Sequence, residues 1–389
     1  MMLKEYKINE NITLKLENNK TNIYIKGELF LQCKFLLMNI LVEEPNLYER
    51  IDSIDDAAET LDNSLQGTEG IRGNKYISEE EEFWAHCSNL QSWYEHEYNT
   101  KLLHSNLSFP LLKKLREIGD PLAKERFKEE IANRFFSGSS KIQDFLLEEG
   151  YLDLLSKVEL LSLIKDSDII TELENSIGAP MRINTRYYPH PYGFVVENGV
   201  VTYLSLDNRG LKTVPDIIRE LSSLEGLILT RNSLVSLPDW TVEFSQLEYL
   251  DVSNNKLEKI PDSIGSLHKL KCLKLNNNKL RRLPNSIGNL LHLKYFSAIE
   301  NNMIHLPETI GKLIMLEELI IPTNLLETLP ESIENLSSLK TLHISENPIK
   351  KLPSSINNLE NLKALFLKGI DKNAWNLTYY MEKRIKIYN

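Results

Sequence analysis

The chain has 389 residues, 42% of them hydrophobic and 26% charged, enough for more than one core. Its formal net charge of −10 is unevenly placed: residues 201–389 hold 23 Lys+Arg against 21 Asp+Glu, which leaves 22 against 34 for residues 1–200. Neither half has the strongly basic balance of a general nucleic-acid binder, so no nucleic-acid partner is expected. Cys33, Cys87 and Cys272 are too few and too scattered for a disulfide framework, and they point to a reducing, cytoplasmic compartment. The N-terminus lacks an apolar leader and no run of about 18 apolar residues occurs, so no membrane partner is expected either.

Residues 1–50 read as β-rich. Ile12–Thr13–Leu14–Lys15–Leu16 and Asn22–Ile23–Tyr24–Ile25 alternate apolar with polar, and the ENNKT between them reads as a hairpin turn. CKFLLMNILV, from Cys33, reads as a third strand. Residues 51–79 read as an acidic helix followed by a Gly-rich loop. From 80 to 183 the pattern turns helical. Phe83, Trp84, Cys87, Leu90 and Trp93 are placed on one face, Pro110 starts a second helix, and Asp120–Pro121 opens a third. Ile142, Phe145 and Leu146 begin a further stripe. Residues 184–200, rich in aromatics and prolines, read as a linker that packs.

A repeat dominates the rest of the chain. Asn232, Asn255, Asn278, Asn301, Asn324 and Asn347 recur at a constant 23-residue step, and Pro215, Pro238, Pro261, Pro284, Pro307, Pro330 and Pro353 keep the same period. One unit reads LKCLKLNNNKLRRLPNSIGNLLH, from Leu270. Leu273, Leu275, Leu280 and Leu283 are expected inside, and Ile287, Leu290 and Leu293 line the buried face of the outer side. The stretch around Leu273 has the alternation of a half-buried strand. Asn278, with two donors and an acceptor, is suited to satisfying buried backbone groups of adjacent units. Pro284 lacks a donor and favours extended backbone where no sheet ladder runs. Arg209 and Ile370 replace the Asn at the two ends, as terminal units require. The tail 371–389, with Trp375, Tyr379, Tyr380, Met381 and Ile385, reads as a lid. Trp240 departs from the unit, next to a Thr241 where Ile is expected. It either packs locally or lies exposed on the outer side against the N-terminal region.

The unit resembles the intracellular 23-residue class of leucine-rich repeats found in Ras-pathway scaffold proteins and plant intracellular homologues. That resemblance implies an α/β solenoid, a horseshoe with a parallel concave sheet of about eight units over 201–370, preceded here by an α+β N-terminal domain. The stretch WYEHEYNTKLLHSNL, from Trp93, is similar to uncharacterised archaeal leucine-rich-repeat proteins and adds organisation but no reaction.

No motif carries catalysis. GTEGIRGNK, from Gly67 to Lys75, does not fit the phosphate-loop pattern. His86, Cys87, His96 and His104 match no zinc spacing. Cys87 lies in an acidic, apolar neighbourhood that raises rather than lowers a thiol. No cofactor or metal is expected. The remaining constellation is the concave face, where residues one period apart form columns. One column reads Tyr203, Gly226, Tyr249, Cys272, Tyr295, Glu318, Thr341; the next reads Ser205, Ile228, Asp251, Lys274, Ser297, Ile320, His343, Phe366. Tyrosines and exposed isoleucines suit recognition, although they are also good strand formers. Tyr203, Ile228, Tyr249, Asp251, Lys274, Tyr295, Ile320, His343 and Phe366 are therefore the candidate partner-binding residues. Eight strands span on the order of 34 Å, room for a small folded protein. The expected function is a monomeric, non-enzymatic scaffold holding a protein, with a small GTPase or its regulator as the partner that the resemblance suggests. The alternative is an array that selects substrates for an unrecognised N-terminal enzyme.

Overall fold

In the computed structural model the first alternating segments form a meander. Strands β1 (Lys4–Lys7), β2 (Ile12–Glu17), β3 (Lys20–Ile25) and β4 (Glu28–Phe30) pair antiparallel in chain order. Ile12, Leu14, Ile23 and Ile25 share its buried face. The β2–β3 turn is tighter than the ENNKT stretch suggests. Only Asn18 and Asn19 connect the strands, both left-handed at φ 51° and 61°, as a two-residue hairpin turn demands. The structure describes residues 4–31, 78–103, 105–137, 142, 143, 145, 146, 149–184, 192–378, 381 and 384–389. The expected strand at 33–42, the acidic helix and the Gly-rich loop lie outside them.

Two units make up the chain: Met1–Phe135 with Leu146–Leu155, and Phe136–Phe145 with Ser156–Asn389. In the first, helix α1 (Glu79–Glu95) packs on β2 and β3. Ser78 and Glu81 cap its start reciprocally. Phe83, Cys87, Leu90 and Trp93 are buried as the spacing implies, with His86 beside them. Trp84 is not: one residue from Phe83 it is turned about 100° around the helix, and it is 48% exposed, edge-on to Tyr6. Helix α2 (Ser105–Glu117) begins before Pro110, contrary to the sequence reading, and carries that proline in its second turn. Helix α3 (Pro121–Ser137) begins at Pro121 as expected, with the Asp120 carboxylate accepting from Ala123 N at 3.0 Å. The other Asp120 oxygen accepts from Tyr98 Oη and Asn11 Nδ2, at 2.9 and 3.0 Å, tying the sheet to the helices. Of Ile142, Phe145 and Leu146, only Leu146 is buried.

The second unit is built on an eleven-stranded sheet among the described residues. Strands β7 (Val200–Leu206), β8 (Gly226–Ile228), β9 (Tyr249–Asp251), β10 (Cys272–Lys274), β11 (Tyr295–Ser297), β12 (Glu318–Ile320), β13 (Thr341–His343) and β14 (Ala364–Phe366) run parallel, each paired in register with the equivalent strand of the next repeat. Each proline of the periodic series caps a five-residue 3-10 helix, such as Asn285–Asn289 after Pro284. The outer side is thus wound, with the proline itself extended at φ −71° and ψ 152°. Leu273, Leu275, Leu280, Leu283, Ile287, Leu290 and Leu293 are all buried in one continuous core. Asn278 Oδ1 accepts from Leu257 N at 3.0 Å, and its Nδ2 donates to the carbonyls of Val252, Leu275 and Asn276, each at 3.1 Å. One residue earlier, Asn208, Arg231, Asn254, Asn277, Glu300, Thr323, Glu346 and Gly369 all hold positive φ, from 51° to 81°.

Both ends of the sheet are extended by added strands. At the N-terminal end β6 (Tyr192–Glu197) pairs antiparallel with β7, and β5 (Arg182–Asn184) pairs parallel with β6. Helices α4 (Lys157–Leu161) and α5 (Ser167–Ile177), grouped by sequence with the helical segment 80–183, pack here instead. Ile164, Ile170 and Leu173 join the solenoid core, and the Asp166 carboxylate accepts from Val201 N at 2.7 Å. At the other end β15 (Lys386–Tyr388) pairs with β14, while Met381 and Ile385 enter the core. No helix among the described residues is long and apolar enough to cross a membrane.

Candidate functional site

The short strands fix which side chains reach the concave face. In each, the central residue is buried in the core, and its two neighbours point the other way, as strand geometry requires. All nine candidate residues lie on that face, each half-buried. Pairing places Tyr203, Gly226, Tyr249, Cys272, Tyr295, Glu318, Thr341 and Ala364 in one column, with Lys386 after them. Ser205, Ile228, Asp251, Lys274, Ser297, Ile320, His343 and Phe366 form the next, continued by Tyr388.

Large and small side chains alternate in the first column from Tyr203 to Tyr295. A methyl group on Gly226 would stand 2.1 Å from the Tyr203 ring, so the absence of a side chain there is what lets the ring lie down. At the centre, Lys274 Nζ sits 5.3 Å from the Tyr249 ring centre and 5.6 Å from that of Tyr295. The two rings hold the ammonium by their negative faces. Burial pushes the Lys274 ammonium down, but its bond to the Tyr249 hydroxyl and the nearby Asp251 outweigh this and hold it above its ordinary range. Burial also raises the Tyr249 hydroxyl, and it lifts the Cys272 thiol to about 11. The face therefore presents a fixed cation between two tyrosine rings, beside the Cys272 thiol.

Toward the C-terminal end the surface turns aromatic. Phe366 and Tyr388 stack at 4.2 Å and 7°, and His343 tilts onto Phe366 at 4.7 Å. Burial lowers the His343 imidazole, which is neutral at pH 7. Ile228 and Ile320 lie four strands apart and belong to different parts of the face.

Sequence reasoning missed two contributors. Arg231 occupies a left-handed position at the edge of the face and pairs with the buried Asp207 carboxylate, which also accepts from Thr230. Burial would raise Asp207; these donors overcome that and hold it below the ordinary carboxylate range. Counting one residue back from the Asn ladder locates Arg231. Tyr388 had no such signal, because it falls one position short of a full period after Phe366. Beside Arg231 lies a shallow depression of about 430 Å³, lined among others by Asp251, Lys274, Asn276 and Ile299.

Among the described residues, those weighed for chemistry do not converge. His86 and Cys87 are adjacent on α1, and His96 lies ten residues further along, about 15 Å away at helical rise. Burial pushes the Cys87 thiol up to about 12. His104, Cys33 and Gly67–Lys75 lie outside the described residues. Trp240 packs locally, edge-on to Phe244 at 6.0 Å, and donates to Asp216 at 3.0 Å.

Family models for leucine-rich repeats match residues 200–257, 242–325 and 338–359. The chain carries a leucine-rich-repeat array. Among solved structures, a leucine-rich-repeat protein of Leptospira interrogans is 30% identical over 48% of this chain and 55% of its own, with a TM-score of 0.37. The plant peptide hormone receptor RGFR1, solved in complex with RGF2, is 28% identical over 46% of this chain and 28% of its own, with a TM-score of 0.38. An internalin of Listeria monocytogenes is 19% identical over 48% and 60%, with a TM-score of 0.39. The chain thus spans less than two thirds of each. Among curated proteins no relative matches it.

Proposed function

We propose that the concave face of the array holds a protein partner and that the chain is a non-enzymatic scaffold. Leucine-rich-repeat domains generally mediate protein–protein interaction. The observation that carries the reading is the centre of the face, where Tyr249 and Tyr295 grip Lys274. Rigid aromatic groups around an already immobilised charge lose little entropy on contact, and Tyr is favoured at the anchor points of interfaces. The aromatic run His343, Phe366 and Tyr388 supplies a second anchor. The resemblance of the 23-residue unit to Ras-pathway scaffolds makes a small GTPase, or its regulator, the first partner to try.

The test is affinity capture from native cells with the full chain and with an Ile228→Asp, Tyr249→Ala, Tyr295→Ala variant. A protein captured by the parent and lost by the folded variant is the expected result. Equal recovery by both sinks the concave-face reading.

A further inference from the structure

The charges of the array nearly balance in number but not in place. One flank of the solenoid consists of the five residues after each ladder position, at 210–214, 233–237, 256–260, 279–283, 302–306, 325–329 and 348–352. It carries eight Lys or Arg and two Glu. The opposite flank lies between each 3-10 helix and the next strand, at 221–225, 244–248, 267–271, 290–294, 313–317, 336–340 and 359–363. It carries five Lys and four Glu. There the charges pair from unit to unit, Lys271 with Glu248 at 2.7 Å and Lys340 with Glu317 at 2.5 Å.

On the ladder flank the described residues form one such pair, Lys350 with Glu327 at 2.9 Å, near its C-terminal end. In the middle, like charge lies over like charge. Lys256 N bonds to Leu234 O and Lys279 N to Leu257 O, both at 2.9 Å, which stacks each unit on the last. Lys256 is thereby set beside Lys279, and Lys259 beside Arg282, while Arg281 lies in register with Glu258; all six are exposed. Glu258 stands among them, and Asp239 and Asp262 line an adjoining depression together with Lys259 and Arg282, yet none of these three carboxylates reaches ion-pair distance of a cation among the described residues. Like charges set side by side on neighbouring units repel, and no ion pair among the described residues relieves the Lys256–Lys279 and Lys259–Arg282 neighbours.

The same rows turn apolar in the following units. Ile304 follows Arg281, and Leu325 follows Asn302, at 41% and 49% exposure. Apart from the imidazole of His305, the flank carries no aromatic side chain on which a nucleic-acid base would stack. We propose that this flank docks an acidic segment of a partner protein, one that carries apolar residues beside its carboxylates. The segment is recognised by Lys256, Lys279 and Arg281, with Ile304 and Leu325 taking its apolar side chains. The site is separate from the concave face and does not depend on it.

The experiment uses the full chain and three fluorescent probes: a twelve-residue peptide of Asp, Glu and Leu, a peptide of Asp, Glu and Ser, and a twelve-base oligothymidine. Anisotropy is read at 50 and 200 mM salt. Expected is binding of the Leu-containing peptide, at least tenfold weaker for the Ser peptide and at least tenfold weaker in a Lys256→Gln, Lys279→Gln, Arg281→Gln variant. A Lys271→Gln, Lys294→Gln variant on the opposite flank keeps the parent affinity. The first variant keeps the parent's melting temperature within a few degrees, because all three side chains are exposed. Equal affinity in the two variants, or tighter binding of oligothymidine than of either peptide, overturns the proposal. So does a parent that binds none of the probes.

Discussion

Thr241 shows how one residue can be read correctly and still understated. The repeat places Ile218, Ile264, Ile287, Ile310, Ile333 and Ile356 at its position in the other units, so its departure is visible in sequence. The structure adds that it is fully buried and that its hydroxyl has no hydrogen-bond partner among the described residues. Thr241→Ile removes an unsatisfied polar group and gains apolar burial, and is expected to stabilise the fold by about 1–2 kcal/mol. The denaturant midpoint measures it; a lower midpoint would mean the site is too small for the added carbon. Asp207 offers a pH test. Its folded carboxyl is held below its ordinary value, so its contribution is present above the unfolded pKa and is lost as pH falls through the folded one. Stability measured from pH 5 to pH 2 should fall less steeply in Asp207→Asn than in the parent. The left-handed positions were not legible at all. Asn, Arg, Glu, Thr and Gly share them, so no residue type marks the place. Asn208 and Gly369 hold the left-handed backbone although Arg209 and Ile370, not Asn, come next, so the conformation belongs to the turn of the repeat and not to any one side chain.

At the level of elements, the period gave the strands, their register and both columns of the concave face, because each depends on a spacing that sequence preserves. It did not give the added strands at the ends. β5, β6 and β15 are defined by what they cover, and their residues follow no repeat. The outer side was half legible: the prolines marked where each 3-10 helix begins, but an extended run was the simpler reading of a residue that lacks a donor. These helices lie close together. A methyl on Gly288 would stand 2.3 Å from the carbonyl oxygen of Thr309 in the next unit, a backbone atom with little freedom to yield. Gly288→Val is expected to cost about 1–3 kcal/mol by overpacking. Hydrogen exchange should show the loosening on the outer side at 308–312 rather than on the strands at 318–320. Uniform loosening of both would point to a different cause.

Over the whole molecule, the second unit is a stack in which each turn is buried by its two neighbours, so stability falls from the middle toward the ends. Met381 and Ile385 close one end of the core. Replacing both with Asp should release amide protection first in β14 and β13, while β9 and β10 keep theirs; simultaneous loss along the entire array would show that it unfolds as one cooperative block. The N-terminal unit gave less to sequence reading. Its helices could be placed, but nothing in their spacing announced that Asn9, Asn11, Tyr98 and Asp120 would meet in one hydrogen-bond network from such distant parts of the chain.

The ladder asparagines make almost every contact with residues at fixed offsets in their own unit or the one before. Such a joint carries no memory of how many joints precede it. A single repeat can therefore be duplicated or excised without any local bond being rewritten, provided that the two ends stay in place. The reach of the concave face is then a quantity adjusted by counting, in steps of about 4.8 Å. A lineage carrying this array can fit it to a larger or smaller partner by gene-level copying before any contact residue has to change.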